Sequence, residues 1–166
     1  MASILEEINA FFVNLTNVRS QLNYMKRVIT LAPDNQEIVT ETESEFKKLK
    51  RYFETTICSS IFPFGTEYVY VWQLEEGKYY VGYSENLSRR LEEHMTEEGA
   101  VWTKKYKPLS IIEIVRGGTG VEKQKTLEYM KKFGFENVRG AGWCKIDYKT
   151  VPAEVVQVIS SQSIIT

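Results

Sequence analysis

Residues 68–83 read Tyr68-Val69-Tyr70-Val71-Trp72-Gln73-Leu74-Glu75-Glu76-Gly77-Lys78-Tyr79-Tyr80-Val81-Gly82-Tyr83, and the reading of this stretch decides the fold. Its two runs of aromatic and β-branched residues suit pleated, half-buried strands. Glu75-Glu76-Gly77 between them reads as the turn of a hairpin. Because strand side chains alternate with period two, the turn length decides which of them meet. A two-residue turn puts Tyr70 and Tyr80 on opposite faces. A three-residue turn, with Gly77 in the left-handed conformation, puts them on the same face. Only the last of the three positions then demands glycine, so the three-residue form is expected. Val69, Val71 and Val81 then share the other face, toward the core.

Downstream, Ser84 to about Met95 reads as a helix with Leu87, Leu91 and Met95 on its apolar side and Ser84 as its cap. A short loop through Gly99 and Trp102 leads to a third strand, Ser110 to Val115, closed by Gly117-Gly118. A helix from about Gly120 to Phe133 follows, and Gly134 ends it. From Val151 a short helix with Pro152 in its first turn is expected. Upstream, Ile61-Phe62-Pro63-Phe64-Gly65 is a breaker cluster.

Before that cluster the period changes. Ile4, Ile8, Phe11, Leu15, Val18, Leu22, Met25 and Ile29 follow alternating spacings of three and four, the seam of a coiled coil, so residues 1–31 read as one long helix. Pro33-Asp34-Asn35 stops it, and Asp34 caps a second helix to about Thr55 with Val39, Phe46, Leu49 and Phe53 on one side. The two make a helical hairpin, either folded on itself and the next domain or serving as an arm for homo- or hetero-oligomerisation. The expected division is a helical arm over residues 1–60, an α+β domain over 64–145 with a three-stranded antiparallel sheet flanked by helices, and a tail over 146–166.

Composition narrows the function. The chain of 166 residues has a net charge of −1, and residues 61–166 hold 14 Lys and Arg against 14 Asp and Glu. A nucleic-acid binder with this balance must gather its cations onto one face; Arg89, Arg90, Lys104, Lys105 and Lys107 are the candidates. Cys58 and Cys144 lie far apart without ligand spacing, and with a single histidine, His94, the sequence does not describe a structural zinc site. No apolar run has the length of a membrane span, and the first residues do not read as a secretion signal, so an intracellular protein without a membrane partner is expected.

With the order strand, strand, helix, strand, helix in place, Val69-Tyr70-Val71 and Tyr80-Val81-Gly82 resemble the two halves of the GIY-YIG signature. Arg90 lies eight residues after Gly82, where that nuclease superfamily keeps an essential arginine. His94, Trp102-Thr103, Glu122, Thr126, Met130 and Asn137-Val138-Arg139-Gly140 resemble a subgroup found in large DNA viruses and simple eukaryotes, similar to junction-cutting, structure-selective nucleases. Tyr68 stands where the signature has its first glycine, and Tyr83 where many relatives carry Lys, Arg or Thr.

The resemblance implies a phosphodiester hydrolase acting on DNA with Mg²⁺ or Mn²⁺. Tyr70 and Tyr80 would line the site, one phenol helping to deprotonate the attacking water. A free phenol near pKa ~10 needs positive charge beside it to do so, which Arg90 supplies while also facing the charge of the transition state. His94, four residues on and on the same helical face, would assist proton transfer. The cation needs one carboxylate. Glu122 matches the subgroup pattern, Glu128 an ungapped count, and six residues apart they point away from each other. Arg89, Lys104, Lys105 and Lys107 would contact the nucleic acid. The competing reading is a non-catalytic structural or interaction protein, such as a viral structural component, that keeps the fold.

Overall fold

In the computed structural model, which describes residues 3–29, 36–52, 61–95 and 99–161, the chain divides into two compact units, Met1–Pro63 and Phe64–Thr166. The first holds α1 (Ile4–Ile29) and α2 (Gln36–Tyr52), which contact each other. A capping box starts α1: the Glu6 N–H donates to Ser3 Oγ at 3.2 Å, and the Ser3 N–H to Glu6 Oε2 at 2.6 Å. Along the expected seam Ile8 is buried and Phe11 half-buried, but Ile4 is 51% exposed. Phe12, outside the seam, is buried instead, with its ring edge-on to Phe11 at 5.9 Å. Among the described side chains of α1, the buried pair is Ile8 and Phe12, i, i+4 neighbours on one face. The Asp34 cap, Phe53 to Thr55, Cys58 and the side chains of Leu15, Val18, Leu22, Met25, Ile29, Val39, Leu49 and Met95 lie outside the described residues.

The second unit is built on the hairpin. β1 (Tyr68–Leu74) and β2 (Tyr79–Ser84) pair antiparallel with Tyr70 opposite Gly82, Val71 opposite Val81 and Trp72 opposite Tyr80. Residues directly opposite share a face, so Tyr70 and Tyr80 lie on one side and Val69, Val71 and Val81 on the other. Glu75–Gly77 close the turn, with the Leu74 N–H donating to the Lys78 carbonyl at 2.8 Å and the Lys78 N–H to the Glu75 carbonyl at 3.2 Å. One expectation needs correcting here. Glu76 as well as Gly77 is left-handed, with φ of 56° and 67°, because the bond from Lys78 back to Glu75 brackets a mirror-image turn whose central residues both need positive φ.

The sheet has four strands in the order β3-β1-β2-β4 and is mixed, not the expected three antiparallel strands. β3 (Pro108–Arg116) pairs antiparallel with β1, its register shifting twice. Starting at Pro108 rather than Ser110 is possible because an edge strand tolerates a missing N–H. β4 (Val138–Arg139) pairs parallel with β2, Tyr79 opposite Val138 and Tyr80 opposite Arg139. Two residues are too few to show alternation, and a parallel pair leaves no neighbouring turn signal.

Helices cover both faces. α3 (Leu87–Met95) is capped by Asn86, not Ser84: Asn86 Oδ1 accepts the Arg89 N–H at 3.2 Å, while Ser84 Oγ accepts the Asn86 N–H at 3.0 Å and turns the chain into the helix. α4 (Val101–Lys105) lies beside the hairpin through the Trp102 indole N–H, which donates to the Tyr79 carbonyl at 3.1 Å. α5 (Thr119–Phe133) ends at Gly134, φ 91°, whose N–H donates to the Met130 carbonyl. α6 (Ala153–Ser160) completes the unit, Pro152 being its cap rather than part of its first turn. Val69, Val71 and Val81 form the core with Met130, Phe135, Val138 and Val155, each contributing about 1.5–3 kcal/mol by burial.

Arg139 locks β4 in place. Its buried guanidinium donates to the carbonyls of Phe135, Val138, Lys145 and Ile146 and lies over the rings of Trp102, Phe135 and Tyr148 at 4.4, 5.0 and 5.2 Å. Burial lowers its pKa, but the four carbonyls satisfy the charge. Among the described residues no helix is long and apolar enough to cross a membrane.

Candidate active site

On the tyrosine face, the strand period and the turn bring Tyr70 and Tyr80 together, and α3 lays His94 against both. The ring centroids are 6.5 Å apart for Tyr70–Tyr80, 5.6 Å for Tyr70–His94 and 4.9 Å for Tyr80–His94. The Tyr70 hydroxyl is 2.8 Å from His94 Nε2, and His94 Nδ1 is 2.9 Å from Thr103 Oγ1 on α4. Gly82 makes this possible: a Cβ there would overlap the Tyr70 hydroxyl and the ring carbon that bears it. All three rings are buried.

Burial sets their ionisation. It pushes the Tyr70 phenol well up, with the neighbouring Tyr80 adding to the rise and Arg90 opposing it. Tyr80 is likewise raised by burial and held back by Arg90. His94 is pushed down to about 3, by burial first and the Arg90 charge second, so it is neutral near pH 7. Arg90 itself loses from burial, but its bond to Glu93 and the two phenols outweigh that and hold its pKa above the ordinary value. Its Nη1 donates to Glu93 Oε2 at 2.7 Å, and Glu93 Oε1 meets Arg89 Nε at 3.5 Å.

Glu122, in the first turn of α5, accepts the Ala141 N–H on Oε1 at 3.2 Å. Burial raises its pKa, while the Ala141 bond and the Arg90 charge lower it. It lies within electrostatic reach of Arg90, Tyr70 and Tyr80. Ala141 is left-handed, φ 47°, between Gly140 and Gly142, a conformation that costs about 1 kcal/mol for a residue with a Cβ. Glu128 lies elsewhere. It is 56% exposed and pairs at 3.1 Å with Lys125, which bridges at 2.7 Å to Glu113. Glu113 stands opposite Val71 and so on the valine face, where it also accepts the Tyr129 hydroxyl.

The candidate cations have different neighbours. Arg89 and Arg90 line a cleft of about 660 Å³ with Phe64, Tyr83, Ser84, Glu85, Asn86 and Glu93. Lys105 sits over the Tyr106 ring with Lys78, at 5.3 and 5.5 Å, and the Lys107 N–H is tied to Glu75 in the hairpin turn. Lys104 is exposed on α4.

Among the described residues no three His, Cys, Asp or Glu side chains converge; Glu93 is engaged in its ion pair with Arg90, and Glu122 adds a second carboxylate within electrostatic reach of Arg90 and the phenols. That suits a hard divalent cation that keeps most of its water and takes its remaining oxygens from a phosphate. Two features of the site escape sequence reasoning about side chains. The Ala141 N–H is a backbone donor that any residue offers, with only the flanking glycines as a signal. The bond from Thr103 to His94 joins segments on separate helices.

The family model of the GIY-YIG catalytic domain matches residues 66–133, the stretch from the start of β1 to the end of α5 that carries Tyr70, Tyr80, Arg90, His94 and Glu122. No curated protein and no solved structure matches the chain.

Proposed function

We propose that this chain is a metal-dependent endonuclease that hydrolyses DNA phosphodiester bonds and selects branched or nicked structures. The observation that carries the reading is the convergence of Tyr70, Tyr80 and His94 in one polar cluster, with Arg90 and Glu122 in electrostatic reach, inside a segment matching a catalytic domain. With Nε2 of neutral His94 as the acceptor, the Tyr70 O–H donates to it across 2.8 Å, and the phenol oxygen keeps lone pairs for a water. As that water loses a proton to Tyr70, the phenol's own proton passes to His94, and the hydroxide attacks phosphorus while the bond to the leaving oxygen breaks. The second negative charge that develops on the phosphate favours the imidazolium and faces the Arg90 guanidinium. Tyr80 packs against both partners and holds them in register. Glu122 would hold the Mg²⁺ or Mn²⁺ ion, which when bound neutralises phosphate charge and stabilises the leaving oxygen.

The choice of substrate rests on the resemblance of His94, Trp102-Thr103 and Glu122 to structure-selective nucleases, and on a balanced charge that gives a uniform duplex little non-specific hold. Incubation with flap, junction, nicked and linear DNA in Mg²⁺ or Mn²⁺ tests this. Cleavage of the branched and nicked substrates that Arg90→Ala abolishes supports the reading; equal cutting of linear duplex sinks the selectivity.

A second reading has its own observation. Burial moves both phenols up and His94 down, so none of the three ionises near neutral pH without help. A non-catalytic interaction protein, with α1 as a contact surface for another chain, is the reading that remains if no divalent ion elicits cleavage.

A further inference from the structure

His94 touches Tyr70 with one ring nitrogen and Thr103 with the other, at 2.8 and 2.9 Å. A neutral imidazole carries one proton, so which nitrogen donates decides whether Tyr70 gives or receives a hydrogen bond. Thr103 has a single hydroxyl proton, and its Oγ1 also lies 2.9 Å from the Ala100 carbonyl oxygen, which can only accept. With that proton on Ala100, Thr103 offers His94 nothing but lone pairs. Nδ1 must then carry the hydrogen, Nε2 is bare, and the Tyr70 hydroxyl donates to it. The chain of donors therefore runs in one sense, from Tyr70 to His94 to Thr103 to the Ala100 carbonyl.

Two neighbours keep the arrangement. A Cβ on Gly99 would sit 2.5 Å from His94 Nδ1 and 3.0 Å from Thr103 Oγ1, so glycine lets the two approach. Trp102, the residue before Thr103, is pinned between the Tyr79 carbonyl and the Arg139 guanidinium. Thr103 is itself buried, so water does not compete for its hydroxyl.

We propose that Thr103, anchored on the Ala100 carbonyl, is the positioning residue that fixes His94 as the Nδ1–H tautomer and so makes Nε2 the acceptor of the Tyr70 proton. This rests on the nuclease reading for its catalytic meaning, but not for its geometry. The reverse tautomer would present an N–H to Tyr70, leaving the phenol proton no acceptor on the imidazole and closing the relay.

Because His94 is the only histidine, ¹⁵N-histidine labelling of the full chain gives one pair of ring-nitrogen resonances at neutral pH. The expected spectrum is a protonated Nδ1 and a bare Nε2. Thr103→Ser should keep it. Thr103→Val should lose it in favour of the Nε2–H form or a mixture, and Gly99→Ala, whose Cβ would crowd both His94 and the Thr103 hydroxyl and so part them, should do the same. A wild-type Nε2–H tautomer overturns the proposal, as does a Thr103→Val spectrum identical to wild type. Should Thr103→Val fail to fold, the wild-type and Thr103→Ser spectra still decide. On cleavage, Thr103→Val should lower kcat on the order of 10²-fold with KM little changed, and Thr103→Ser should restore it. The spectra as stated together with a normal kcat in Thr103→Val overturn the positioning role. The spectra as stated in a wild-type chain that cuts nothing sink the nuclease reading and leave the tautomer assignment standing.

Discussion

The two faces of the β1–β2 hairpin are made from alternate residues of the same strands, and they are stabilised in different ways. On one face Val69, Val71 and Val81 close with Met130, Phe135, Val138 and Val155, apolar groups that need contact and nothing else. On the other, Tyr70, Tyr80 and His94 are as deeply buried, but their polar atoms must find partners; Tyr70 bonds His94 and His94 bonds Thr103. A buried polar group left unpaired costs about 1–3 kcal/mol. The valine face therefore tolerates small adjustments, whereas the tyrosine face works as a unit or fails. Alternation puts stability on one side of a strand and chemistry on the other.

The sharpest way to break that comparison is to remove a charge beside the tyrosine face. Glu122→Gln keeps the shape and should lower cleavage by about 10³-fold or more, equivalent to several kcal/mol of transition-state stabilisation. DNA affinity should hold or tighten, because a negative charge facing the phosphates is gone. Cleavage assays and gel mobility on the same preparation separate the two, and normal cutting by this variant would remove Glu122 from the site.

On the valine face, Val81→Ala should cost about 2–3 kcal/mol of stability through lost burial and a cavity, with unchanged kcat in the folded fraction. Urea unfolding measures the first and an assay well below the midpoint the second. A fall in kcat would mean that the faces are not separable.

Acid distinguishes them next. The His94 pKa is lowered by folding to about 3 from an ordinary 6.5, so between those values the unfolded chain binds a proton that the folded one refuses. Its contribution to stability is complete above about pH 6.5 and is lost as pH falls toward 3. From pH 7 to pH 5 the loss should be about 2 kcal/mol, since each pKa unit is worth about 1.4 kcal/mol. His94→Asn should flatten that slope in urea midpoints measured at the two pH values, and an unchanged slope would show that His94 does not carry it.

The smallest effect belongs to Glu128→Gln. Its partly exposed pair with Lys125 should be worth less than about 1 kcal/mol, and cleavage should stay within a factor of about two, a change of about 0.4 kcal/mol in the barrier. Loss of cutting here, with Glu122→Gln active, would exchange the roles of the two glutamates.

How much of this was legible depended on distance along the chain. The hairpin, its shared tyrosine face and the glycine stop at Gly134 follow from rules that act over a few residues: period two, turn length, and the left-handed preference of glycine. Even there Glu76 departs from the expected turn, because a left-handed glutamate leaves no mark in composition.

The sequence by itself determined that Tyr70 and Tyr80 face the same way, given a three-residue turn ending in Gly77, and that Glu122 and Glu128 face apart, since strand and helix periods fix both. Only the tertiary structure decided which glutamate lies within reach of Arg90, that a two-residue β4 adds a parallel edge to the sheet, and that Thr103 meets His94. Those pairings join segments whose side-chain patterns are complete without one another. The packing of α3, α4 and α5 on the sheet, rather than any local preference, selects among them.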